Sequence, residues 1–200
     1  MSLSEYRPCT AAIAFLLTAS VVAPAWGHEG AGAFGGFAAG FMHPLLGWDH
    51  LAAMLAVGLW GAFLGGQAIW VLPIAFPMIM AVGGALGVAG VPLPAVEAGI
   101  ASSAIVLGGA VAAALRPPLS IAAPLVGAFA VLHGHAHGTE LPLAASPLAY
   151  SVGFVLTTGL LHLLGIGIGT FTCWPTGLFA VRLIGVAIAV VGITFLAGAA

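Results

Sequence analysis

Residues 68–89 read AIWVLPIAFPMIMAVGGALGVA. The run holds no charged side chain, and a helix of this length rises about 33 Å, enough to cross the roughly 30 Å of a bilayer's hydrocarbon. Comparable apolar stretches recur on both sides of it: Phe37 to Leu64, Ala95 to Leu115, Leu119 to His137, Leu148 to Gly169 and Gly177 to Ala199. Short breaks separate them at Gly65-Gly66, at Val91 to Pro94, at Arg116-Pro117-Pro118, at Gly138 to Pro147 and at Thr170 to Thr176. Short connections make successive helices antiparallel neighbours.

The composition agrees. Of 200 residues, 62% are hydrophobic and 4% charged, and the three basic residues are all arginine. A soluble domain needs roughly a quarter of its residues charged, so cytosolic enzymes, nucleic-acid binders and disordered scaffolds are excluded. The net charge of -2 says little about partners, because so few groups contribute to it. Cys9 and Cys173 form no CxxC pair and are expected to be unpaired thiols, which leaves no thiolate metal site.

The first residues have the layout of a secretory signal peptide: Arg7, an apolar run from Ala11 to Ala23, then small residues. Cleavage fits after Ala25 or after Gly27, and the second is preferred. The predicted organisation is therefore a cleaved signal peptide (1–27) followed by an all-α membrane domain of six transmembrane helices (28–200). An uncleaved anchor, one span more, is the alternative. A signal peptide leaves the mature N-terminus outside, and six spans return the C-terminus to the same side. Arg116 and Arg182 then face the cytoplasm, in keeping with the positive-inside rule. Small residues four apart, Gly36 with Gly40, Gly61 with Gly65, Gly83 with Gly87 and Gly165 with Gly169, are expected to let helix backbones meet.

Against this background the polar residues are few and grouped. Ionisable groups at membrane depth are costly, roughly 2.5 to 3.5 kcal/mol for a central Asp on insertion scales, so each is a functional candidate. The first group runs from His43 through Asp49 to His50. On a regular helix the two imidazoles share a face but stand about 10.5 Å apart along the axis. One ion can touch both only if the backbone breaks, which Pro44 and Gly47 favour; otherwise they mark two successive stops. Asp49 either ligates or fixes a histidine tautomer from behind. Met54 continues the face.

The second group is His133, His135 and His137 with Glu140. His133 and His137 are i and i+4 on one face, a chelating spacing, and Glu140 extends it, while His135 points to the opposite side of a regular helix. Alternating histidines followed by a carboxylate form a nitrogen and oxygen donor set suited to Ni, Co or Zn. His162 stands alone in the fifth span, as fit for a helix-to-helix hydrogen bond as for ligation. His28 follows the preferred cleavage point, where amino group and imidazole of one terminal residue would chelate a cation.

The two groups together resemble the HupE/UreJ family of bacterial nickel and cobalt permeases. His43 to His50 matches its His, five residues, Asp-His signature. Leu132-His133-Gly134-His135-Ala136-His137-Gly138-Thr139-Glu140 is similar to its Phe-His-Gly-x-Ala-His-Gly-x-Glu signature, with Leu132 in place of the usual Phe. The resemblance covers essentially the whole chain. It implies uptake of Ni(II) or Co(II) across the bacterial inner membrane from periplasm to cytoplasm, to supply hydrogenase or urease through cytoplasmic maturation proteins. The expected metal residues are His43, Asp49, His50, His133, His137 and Glu140, with His28, His135, His162 and Met54 as further candidates. No cofactor, no catalysis and no nucleic-acid partner are expected. An intramembrane zinc metallohydrolase and a metal-binding sensor or accessory protein are the rival readings.

Overall fold

The computed structural model describes residues 33–139, 141 and 146–198. The expected signal peptide, His28 and Glu140 lie outside the described residues. The described residues form seven α-helices and one 3-10 turn, with no strand among them: α1 (Ala33–Leu46), α2 (Trp48–Leu64), α3 (Ala68–Val88), α4 (Val96–Ala112), α5 (Leu119–Thr139), α6 (Pro147–Gly169), the turn Thr170–Cys173, and α7 (Pro175–Gly198).

Helix ends fall where the sequence cannot continue a helix. Gly65 and Gly66 take positive φ (70° and 54°) after α2, and Gly90 does so after α3; this conformation costs glycine nothing. Gly65 is thus a turn residue rather than a packing partner of Gly61. At the start of α6 the Ala149 amide donates to the Ser146 hydroxyl at 3.5 Å, and Pro147 occupies the first turn, where its missing N–H is no loss.

Four helices, α3, α5, α6 with its 3-10 extension, and α7, are long and apolar enough to cross a membrane. The stretch expected as the first span is instead two helices, α1 and α2, meeting at 79°. The third expected span is reduced to the 17 residues of α4, about 25 Å of helix.

Helix α2 forms the centre, in contact with α3, α4, α6 and α7. Its buried residues run around the whole cylinder and include Met54, Leu59, Trp60 and Phe63. Around it pair α3 with α5, α4 with α7, and α1 with α6. Large apolar side chains point outward from the peripheral helices, among them Trp70, Ile74, Met78, Leu160, Phe179 and Val190, as a lipid-facing surface requires.

Charge is segregated along the bundle. At one end the Arg116 guanidinium lies 4.5 Å over the Phe63 ring, Arg182 Nε donates to the Ala112 carbonyl at 2.7 Å, and Trp60 Nε1 donates to the Leu115 carbonyl at 3.1 Å. At the opposite end of α2 and α4, Asp49 and Glu97 line one groove. Cys173 is disulfide-bonded, against the expectation of an unpaired thiol.

Candidate metal centre

The site is made by the interruption between α1 and α2. Pro44 supplies no N–H, and Gly47 adopts an extended conformation (φ -86°, ψ 104°) that ends one helix and caps the next. The chain turns sharply there, and the His43 and His50 rings, about 10.5 Å apart along a straight helix, come to a centroid distance of 5.9 Å. His137, in the last turn of α5, meets both, with centroids 4.8 Å from His43 and 4.5 Å from His50. One ring nitrogen from each of the three lies within 4.8 Å of the others. Three mutually equidistant donors bonded to one ion at about 2.1 Å each are at most about 3.6 Å apart. A closure of up to about 1.2 Å, within reach of side-chain rotations, makes the trio a chelate.

His133 stands one turn before His137, its ring 5.3 Å from that of His50. Hydrogen bonds settle which nitrogens are available. A carboxylate and a carbonyl accept only, so His50 Nδ1–H donates to Asp49 Oδ1 at 2.8 Å and His133 Nδ1–H donates to the Phe129 carbonyl at 2.9 Å. In the neutral imidazole this leaves the Nε2 lone pair free for a cation. The Nε2 atoms of His50 and His133 and both ring nitrogens of His137 are buried with no protein partner. Each such group costs about 1–3 kcal/mol, and all four are carried by His50 and the two rings, His133 and His137, that adjoin it. Asp49, in the first turn of α2, also places negative charge at the positive end of that helix dipole.

These buried nitrogens belong to the two motifs, and the comparisons with known proteins agree. The family described as HupE / UreJ protein matches residues 14–195. The chain belongs to the HupE/UreJ family. Protein HupE of Rhizobium leguminosarum bv. viciae is 41% identical over 194 residues, covering 97% of this chain and 100% of that protein. No solved structure matches.

The motif residues do not all meet. His43, His50 and His137 converge, His133 adjoins them, and Asp49 holds His50 from behind. His135 turns away: its Nε2–H donates to the Val91 carbonyl at 2.7 Å, tying α5 to the segment after α3. Met54, fully buried, accepts a hydrogen bond from the Thr158 hydroxyl at 3.4 Å. His162 is buried elsewhere, with Nδ1–H donating to the Pro73 carbonyl at 3.2 Å. Sequence reasoning missed the aromatic wall on α6. Phe154 packs 4.2 Å from His137 and 6.2 Å from His43, and Tyr150 lies 6.0 Å from His43. Their i, i+4 spacing was the available signal.

The geometry separates the histidines experimentally. His135→Ala removes a hydrogen bond worth about 0.5–1.5 kcal/mol but no donor of the trio. Radiometal uptake by this variant is expected within about twofold of the parent, with a modestly lowered thermal midpoint. Complete loss of uptake would place His135 on the ion's route.

Proposed function

We propose that this HupE/UreJ protein is a permease that carries Ni(II), or Co(II), through the bundle from periplasm to cytoplasm. The observation that supports this reading most is the convergence of His43, His50 and His137 on one point at the break between α1 and α2. Imidazole donors without thiolate hold Ni, Co or Zn, and three neutral ligands with incomplete coordination bind an ion without trapping it. A helix interruption at membrane depth is tolerated where it lines a polar cavity, a common construction for ion sites in transporters. The rival hydrolase reading requires a carboxylate acting on metal-bound water, whereas Asp49 Oδ1 is engaged by His50.

In this reading residues 1–27 are a signal peptide, whose cleavage removes Cys9 and leaves Cys173 a thiol in the mature chain, and 28–200 are the permease domain. The bent pair α1–α2 makes the first span, and α4, extended by its flanking residues, the third of six. Both termini of the mature chain are periplasmic, and Arg116 and Arg182 mark the cytoplasmic side of the inner membrane. Asp49, His133 and Glu140 assist the trio, with His28 capturing the ion outside. The cargo supplies hydrogenase or urease by way of cytoplasmic maturation proteins.

Accumulation of radioactive nickel and cobalt in cells lacking other importers tests the function. Saturable influx dependent on this protein is expected; metal binding by the purified protein without influx would instead favour a sensor or accessory role. Topology has its own test. A reporter active only in the periplasm is expected to work when fused after Ala200 and to fail when fused after Arg116. The opposite pattern would overturn the orientation.

A further inference from the structure

The trio leaves a second histidine environment unexplained. His162, in the middle of α6, is 1% exposed, and its Nε2 is buried without a protein partner. It is linked through one residue to His133, which adjoins the trio. Phe76 of α3, fully buried, packs edge-on against His133 with centroids 5.5 Å apart and edge-on against His162 at 5.4 Å. The order of contacts is therefore His50, His133, Phe76, His162. Thr158 lies one turn before His162 on the same face of α6, and its hydroxyl hydrogen is directed to Met54 Sδ, which leaves the oxygen's lone pairs unengaged by that bond.

A purely structural role for His162 has a clear physical basis. Pro77 has no N–H to offer the carbonyl four residues earlier, that of Pro73, and His162 Nδ1–H supplies the missing donor at 3.2 Å. Any short side chain with an N–H or O–H would do the same. Imidazole does it at the cost of a second nitrogen, buried and unpaired, about 1–3 kcal/mol. The bond to Pro73 also fixes the neutral ring with its lone pair on Nε2, the tautomer that His50 and His133 hold. Phe76 in turn occupies the turn of α3 between Pro73 and Pro77, where the helix lacks a backbone hydrogen bond and bends most readily.

We propose that His162 Nε2 is a second stop for the divalent ion, deeper in the bundle than the trio, with Thr158 Oγ1 beside it and the Phe76 ring as the apolar barrier between the two. This rests on the permease reading. An ion leaving His133 passes when the proline-weakened turn of α3 swings Phe76 aside, and the ring closes the route again behind it. Hydrophobic constrictions of this kind act as gates in ion pathways.

The test separates ligation from the carbonyl bond. Asn in place of His162 retains an N–H for Pro73 but no imidazole. His162→Asn and His162→Ala are both expected to lower maximal radionickel uptake by about tenfold or more, with half-saturation shifted by no more than about twofold. Co(II) titration of the purified variants, followed by visible absorption, is expected to give the same trio affinity as the parent. Near-parental uptake by His162→Asn would overturn the proposal and leave His162 as the partner of a carbonyl. Should His162→Asn fail to accumulate, the thiol of His162→Cys is read out instead with a membrane-permeant maleimide. Protection of that thiol by Cd(II) is expected, and labelling unaffected by Cd(II) would overturn the proposal. Uptake by the parent protein in the same cells reports on the permease reading separately.

Discussion

Replacing His137 with Leu is expected to abolish metal uptake and at the same time make the protein more stable. The side chain is buried among His43, His50 and Phe154, and neither of its ring nitrogens has a protein partner. Leu occupies similar volume, so the substitution opens little cavity, and it removes two unsatisfied buried atoms worth about 1–3 kcal/mol each. Thermal unfolding in detergent should therefore shift upward by a few degrees. Uptake should fall to background, because the ion loses the trio's donor from α5, which bridges His43 of α1 and His50 of α2. His50→Ala is expected to abolish uptake as well. Asp49→Asn is milder, since the amide oxygen still accepts from His50 Nδ1–H while the charge is lost; a 10–100-fold fall is typical for a residue that orients a ligand. A destabilised His137→Leu protein with normal uptake would mean that His137 is a packing residue.

Much of this was legible in the sequence, and the reasons are specific. Apolar runs bounded by Gly, Pro and Arg mark helices because a bilayer forbids other exposed backbone, and α3, α5, α6 and α7 have nearly the bounds that the runs suggest. The two histidine motifs were visible because so little else in the chain is polar. The break between His43 and His50 was visible as Pro44 and Gly47, and the choice between one site and two stops depended on it. What one-dimensional spacing cannot give is an angle. The 79° turn decides that His43 and His50 meet, and the arrival of His137 depends on how α5 packs, a contact between residues far apart in the chain. The Phe76 contacts and the α6 aromatics are of the same kind. An apolar residue in an apolar chain carries no local mark of facing a site. The helix containing His135 stays regular, so its side chain faces away as the 3.6-residue period requires.

The packing that delivers α5 to the site depends on glycine, and Gly134→Ala is expected to lower the thermal midpoint in detergent more than any other single-methyl change on that helix. A Cβ at Gly134 would fall on the Met80 carbonyl oxygen, 2.7 Å from its carbon and 2.8 Å from the Gly84 amide nitrogen. These neighbours are backbone atoms of α3, which cannot rotate away as a side chain would. Overpacking costs typically 1–3 kcal/mol where side chains can adjust, and a backbone obstacle puts this position at or beyond the top of that range. Helices in lipid have no hydrophobic force to press them together again once contact is lost. Gly109→Ala in α4 is the control. Nothing lies within 4 Å of its added methyl, and relief of glycine's helical penalty is worth about 0.5–1 kcal/mol, so its midpoint should hold or rise. Because Gly134 sits between His133 and His135, separation of α5 from α3 also carries His133 away from Phe76. Uptake by Gly134→Ala is therefore expected to fall well below that of Gly109→Ala at equal membrane abundance. Equal midpoints and equal uptake in the two variants would show that the approach of α5 to α3 does not hold the histidines in place.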